Sequence, residues 1–93
     1  IEYRVTADAR ERTWAEQNVK NFAQRLKDPQ SAIFEDVYVS RKMGPPVTCG
    51  LVNARNSFGA FNGFQRFVAA GQLNILESEM ASGEMDAVWN RAC

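Results

Sequence analysis

The sequence predicts a single α+β domain spanning residues 1–93, with an N-terminal and a C-terminal helix flanking an antiparallel sheet of three to four strands. Three observations predict it. Both ends of the chain repeat apolar residues at helical spacing. The middle alternates apolar and polar residues in short runs broken by Gly, Pro and Asn. Ninety-three residues with 45% hydrophobic content supply one small core and not two, because a chain of this length buries only about 60–65% of its unfolded surface.

"IEYRV" at the start is too short to assign and fits a frayed lead-in or an edge strand. In "DARERTWAEQNVKNFAQRLK", from Asp8 to about Lys27, Ala15, Val19, Phe22 and Leu26 recur at one helix face, widened by Trp14 and Ala23. Asp8 fits the N-cap, where its carboxylate meets the positive end of the helix dipole. Asp28-Pro29 ends the helix, since the residue before proline is driven out of the helical region. Asp8, Arg10, Glu11, Arg12 and Glu16 form an ordinary charged helix surface.

"AIFEDVYVSR" (32–41) is a strand with Ile33, Val37 and Val39 on one parity and Phe34 and Tyr38 on the other. The prolines of "KMGPPV" cannot sit inside a ladder, so a turn follows. "VTCGLVNA" (47–54) then alternates Val47, Cys49 and Leu51 against Thr48, Gly50 and Val52, with the first set toward the core. "FQRFVAA" is a third strand, and Gly71-Gln72 turns it into a short fourth, "LNILES". The tail "SEMASGEMDAVWNRAC" has Ala81, Met85, Val88 and Ala92 at helical spacing beside Trp89. Gly83 weakens the first turn of this helix or marks its start.

Composition narrows function by exclusion. Eleven basic and eleven acidic residues leave no net charge to draw nucleic acid or an anionic membrane. No apolar run approaches the roughly 18 residues of a membrane span. Histidine is absent, which removes Ser-His-Asp and Cys-His chemistry and every His-ligated metal site. Glu35 and Asp36 are adjacent on a strand and diverge. Glu77, Glu79, Glu84 and Asp86 gather at the second helix start, where the dipole accounts for them. Ser57 has no recognisable base. The expectation is a non-enzymatic protein with no catalytic residue, cofactor or metal ligand.

Cys49 and Cys93 are the two cysteines, too few for a closed zinc site without histidine. They read either as two free buried thiols or as one disulfide. The terminal position of Cys93 favours the bridge, because that end would otherwise fray. A bridge implies an oxidising compartment, periplasmic or secreted; free thiols would leave the protein cytoplasmic. The chain begins at Ile1, and a cleaved export signal is one reading of that.

"CGLVNARNSFGAFNGFQRF" (49–67) carries the strongest candidate for a binding surface. Asn62-Gly63 between Phe61 and Phe64 is a hairpin-turn signal, because both residues tolerate positive φ. Asn53, Asn56, Ser57 and Gly59 exceed what a turn needs and suit a long loop braced by side-chain-to-backbone bonds. With Arg55 and Arg66 nearby, the loop amides could also form an anion-binding nest. Phe58, Phe61, Phe64 and Phe67 recur every three residues; core or loop-anchoring use outweighs base stacking. The candidate binding loop is Asn53, Arg55, Asn56, Ser57, Phe58, Gly59, Phe61, Asn62 and Gly63.

"LKDPQSAIFEDVYV", "VTCGLVNARNSFGAFNGFQRFV" and, more loosely, "WNRAC" resemble a family of small bacterial proteins, often exported or lipoprotein-like and sometimes phage-associated. Its members look like DPxSAxF before a strand and then a CGxVNxxNxFGxxxGFxxF block. The resemblance implies an α+β domain with Cys49 bridged to the terminal cysteine, weight on Asn53, Asn56, Gly59 and Gly63, and no catalytic residue to carry over. Ala60 and Asn62 depart from the glycine and threonine common there. The expected function is a binding module of the bacterial envelope or periplasm whose partner is a protein or envelope component. A small inhibitor or immunity protein is the alternative, and a small hydrolase without histidine the third.

Overall fold

The middle of the chain folds into consecutive antiparallel strands, and each end packs on them as a helix. The computed structural model describes residues 1–93, in the order β1 (Val5–Thr6), α1 (Ala9–Ala23), β2 (Ile33–Ser40), β3 (Val47–Asn53), β4 (Gln65–Ala70), β5 (Leu73–Leu76) and α2 (Glu84–Ala92). Single 3₁₀ turns at Pro29–Ser31 and Glu77–Glu79 precede β2 and α2.

The sheet has five strands in the order β1-β2-β3-β4-β5 and is mixed, not the purely antiparallel sheet of three or four strands that the sequence predicts. The added member is the lead-in segment. α1 serves as a crossover that returns the chain in the same direction, so β1 pairs with β2 in parallel, Val5 beside Val37 and Thr6 beside Tyr38. Glu2 extends the pairing, its N–H donating to Ala32 O (2.9 Å) while its carbonyl accepts from Phe34 N (2.8 Å).

α1 starts where its cap predicts: Asp8 is extended at φ −69°, ψ 169°, and its Oδ1 accepts from Glu11 N at 2.9 Å. It stops at Ala23, a turn short of Lys27. The N–H groups of Gln24, Arg25 and Leu26 bond three residues back, to Asn21, Phe22 and Ala23. This tightened end carries the chain toward Asp28-Pro29, and Leu26 still packs against the core from outside the helix.

In β2 the predicted parity breaks. Asp36 takes a φ of 52°, and the pairing with β3 slips between Glu35 and Tyr38. This bulge inserts one extra residue. Phe34 and Val37, three apart, therefore enter one core cluster, while Tyr38 packs in the other.

Two cores result, one on each side of the sheet, as the alternation along β4 requires. Phe67 and Ala69 join Ala15, Val19, Phe22 and Ala23 of α1. Here the rings of Phe22, Phe34 and Phe67 meet at centroid distances of 4.8–6.4 Å. Val68 points the other way, to Val47, Cys49, Met85 and Ala92. β3 is covered on both faces: Val47, Thr48, Cys49, Gly50 and Val52 are all buried, whereas Leu51, expected in the core, is half-buried. Buried Asn18 of α1 donates to Thr48 Oγ1 at 3.4 Å and accepts from Gly71 N at 3.0 Å, tying the β4–β5 turn to the helix.

Cys49 and Cys93 form a disulfide with Cα atoms 6.1 Å apart. It fastens the end of α2 to the middle of β3. Beside it the Tyr38 hydroxyl donates to Cys93 O at 3.1 Å, and Tyr38 meets Trp89 edge to face. Partial burial raises the Tyr38 phenol above its ordinary value. Gly83, at φ 84°, is the N-cap of α2, so Ala81 lies before the helix and Glu84 is its first residue. Glu84 Oε1 reaches back to accept from Ala81 N.

Candidate functional site

Residues 54–64 join β3 to β4 at one end of the sheet, opposite the β2–β3 and β4–β5 connections. Arg55 and Phe61 pair as an isolated bridge, and the chain reverses between them. The turn is at Asn56–Ala60 and not at Asn62-Gly63. Asn56 N donates to Ala60 O (2.9 Å) and Gly59 N to Asn56 O (3.0 Å). Asn56 Oδ1 then accepts from Phe58 N (2.9 Å) and Ala60 N (3.2 Å). One side-chain carbonyl thus supplies the acceptor that an Asn-Gly turn would have had to find in the backbone. Gly59 takes the positive φ this reversal needs, 79°, and Gly63 (φ 100°) steers the chain into β4. Asn62 keeps an ordinary negative φ and is exposed.

The root of the loop is anchored from a distant part of the chain. Arg55 N donates to Ser31 Oγ at 2.8 Å, and that hydroxyl donates to Asp28 O at 2.8 Å. "DPQSAIF" and "CGLVNARNSFG" therefore touch at this point. Asn53, last in β3, has a buried side-chain oxygen that accepts no hydrogen bond within the protein.

The four phenylalanines do not share one face. Phe67 is fully buried in the α1-side core, but Phe58 is 93% exposed, and Phe61 and Phe64 are 41% and 42% exposed. The guanidinium of Arg55 lies 5.3 Å from the Phe61 ring centroid. Ser57 is exposed. No acidic residue occurs between Asp36 and Glu77, so the loop offers aromatic rings, amides and one cation.

Arg66, placed with Arg55 in the expected anion nest, is committed elsewhere. Its backbone N–H and Nε donate to Glu77 Oε1 (3.0 and 3.3 Å). Its Nη2 donates to Glu77 Oε2 and to Asp86 Oδ1, both at 2.7 Å. The guanidinium also lies 5.7 Å from the Trp89 ring centroid. Those hydrogen bonds, Glu77 first and Asp86 second, hold Arg66 protonated even more firmly than usual, and Arg66 holds the Glu77 carboxyl below its ordinary range. Glu77 and Asp86 are therefore more than partners of a helix dipole. The sequence did not show this, because residues 66, 77 and 86 are brought together only by the β4–β5 hairpin and the start of α2.

Two open grooves, each of about 530 Å³, have no residue of 54–64 in their lining. One is lined by Asp8, Arg10, Glu11, Trp14, Arg41 and Pro46, with Arg41 Nε donating to Glu11 at 2.9 Å. The other follows the β1 edge from Glu2 to Thr6 and the facing residues Ile33 to Asp36. Glu77 is in neither. No cluster of three or more His, Cys, Asp or Glu side chains is placed to hold a metal ion, and no helix is long and apolar enough to cross a membrane. No family model, curated protein or solved structure matches the chain.

Proposed function

We propose that the protein is a non-enzymatic binding module that engages a protein or envelope component through Asn53–Gly63, in an oxidising compartment of the periplasm or cell exterior. The observation that carries this reading is Phe58, 93% exposed at the summit of a loop whose shape Asn56 fixes. An exposed ring loses contact with water only when something covers it, and a braced loop gives up little conformational freedom on being covered. The bond from Arg55 to Ser31 supports treating the two segments that carry the family resemblance as one surface. The disulfide between buried Cys49 and half-buried Cys93 supports the compartment.

Affinity capture from an envelope extract tests the reading. Wild-type protein is expected to retain a partner that Asn56→Ala and Phe58→Ala variants lose, and equal capture by all three would remove the loop as the site. Alkylation without reductant, followed by intact mass, is expected to find no free thiol in protein from its native compartment. The inhibitor or immunity reading is favoured by the exposure of the whole tip from Ser57 to Ala60, and a tight one-to-one complex that silences an enzyme would establish it.

A further inference from the structure

We propose that the loop is a plug for an apolar pocket on a folded partner protein, with Phe58 as the inserted anchor and the Arg55–Phe61 pair as its collar. This rests on the reading that the loop is the binding surface and specifies what that surface fits. Four occupants compete for an exposed aromatic tip: a bilayer, a single-stranded nucleic acid, a second copy of this chain, and a pocket on another protein. Charge, hydrogen bonding and area separate them.

A bilayer is a poor match. Inserting Phe58 to the depth of its ring would carry the loop's amide side chains and its irregular backbone toward hydrocarbon, where unsatisfied N–H and C=O groups are costly. Interfacial anchors offset this with clusters of Lys and Arg attracted to anionic headgroups. Here Arg55 is the only basic residue from Val47 to Gln65, and the next, Arg66, is neutralised by Glu77 and Asp86. The same shortage disfavours a nucleic acid, since stacking platforms sit in grooves whose cations follow the phosphates.

A second copy fails on area and charge. The three partly exposed rings together present less surface than two whole phenylalanines, on the order of 350 Å² at roughly 200 Å² a ring. Two tips meeting head on would bury roughly 700 Å², below the ~1,200 Å² of a stable interface, and would gather two Arg55 cations into one small contact with no carboxylate from either loop to offset them. A concave partner avoids both difficulties, because it encloses the ring and also meets the rim. The rim is what such a pocket needs: Arg55 over the Phe61 ring, with Ser57 and Asn62 exposed to bond the pocket mouth. A desolvated aromatic anchor within a ring of Arg and amide groups is how binding energy concentrates in protein interfaces.

The test places a benzophenone amino acid at the position of Phe58 and, separately, at that of Leu73, which is 48% exposed at the opposite end of the sheet. Both proteins are irradiated in cells that produce the native protein. The expected result is a single heterologous adduct from position 58 and not from 73, with the attachment mapped by mass spectrometry inside an apolar pocket. With that partner purified, Phe58→Ala is expected to weaken Kd by about thirty-fold or more. Binding to vesicles of phosphatidylcholine and phosphatidylglycerol (7:3), or to a dT20 oligonucleotide, is expected to be absent. Phe58-dependent binding to either, a homodimer adduct, or a Kd unchanged by Phe58→Ala would overturn the plug. A partner reached only from position 73 would overturn both the plug and the loop as the binding surface, leaving a binding module that works through another face. Adducts from neither position would overturn both.

Discussion

A β-carbon on Gly50 would stand 3.0 Å from the Phe67 ring and 3.0 Å from Val37 Cγ2, with the Val37 backbone at 3.1 Å. Neither neighbour can retreat, since both are fully buried. Gly50→Ala is therefore expected to destabilise the fold by about 1–3 kcal/mol through overpacking, read as a lower urea midpoint at unchanged slope. Asn56 has the opposite profile. Asn56→Ala removes the acceptor for the Phe58 and Ala60 amides, and is expected to cost about 1 kcal/mol while speeding hydrogen exchange at those two positions. Phe58→Ala, by contrast, is expected to leave stability within about 0.5 kcal/mol. Single residues differed in how much of this the sequence disclosed. Asp8 announced itself as a cap because capping is a local bond between a carboxylate and an N–H three residues on. Asn56 and Asn62 are alike in a sequence, and which of them closes the turn depends on where Arg55 finds Phe61 across the hairpin.

Between elements, Arg66 binds the start of α2 to β4 through Glu77 and Asp86, and this contact carries a pH dependence. Because Arg66 holds the Glu77 carboxyl below its unfolded value, the contribution is complete above that value, near about 4.3. It is lost as pH falls through the lower folded value. The difference in urea midpoint between wild type and Glu77→Gln is thus expected to stay level from about pH 7 to 5.5 and to shrink below about pH 4.3. Element types and order were legible from periodicity, because α1 buries one face and β3 alternates between two cores. Phase in β2 was not. A bulge at Asp36 has no local sequence signal, yet it reverses which side every later residue of the strand faces. The parallel pairing of β1 was equally hidden, since two residues carry no period and owe their place to the crossover that α1 makes.

On the scale of the whole molecule, the sheet is covered on one side by α1 and on the other by a nine-residue helix, too short to be stable alone. The disulfide compensates. Replacing both cysteines by alanine reopens a loop of about 45 residues and is expected to cost about 4 kcal/mol in the chain-entropy model. That corresponds to a fall in Tm of roughly 15–30 °C, with exchange protection in α2 lost first. The bridge was legible only as the favoured of two readings, since two cysteines leave one connectivity but also fit two free thiols, and it was the terminal position of Cys93 that tipped the choice. That α2 lies on the face opposite α1 was not legible, since burial on both sides of β3 is a tertiary fact. The same bond encloses the exposed loop within a covalent ring, closing Cys49 to Cys93 across a separation of 44 residues. Severing the backbone inside that ring does not divide the molecule. A protease that cuts after Arg55 is expected to add the mass of one water and leave a nicked protein that migrates as one species until a reductant parts the fragments. A partner with proteolytic activity could therefore cleave the loop it holds and still not be rid of either half.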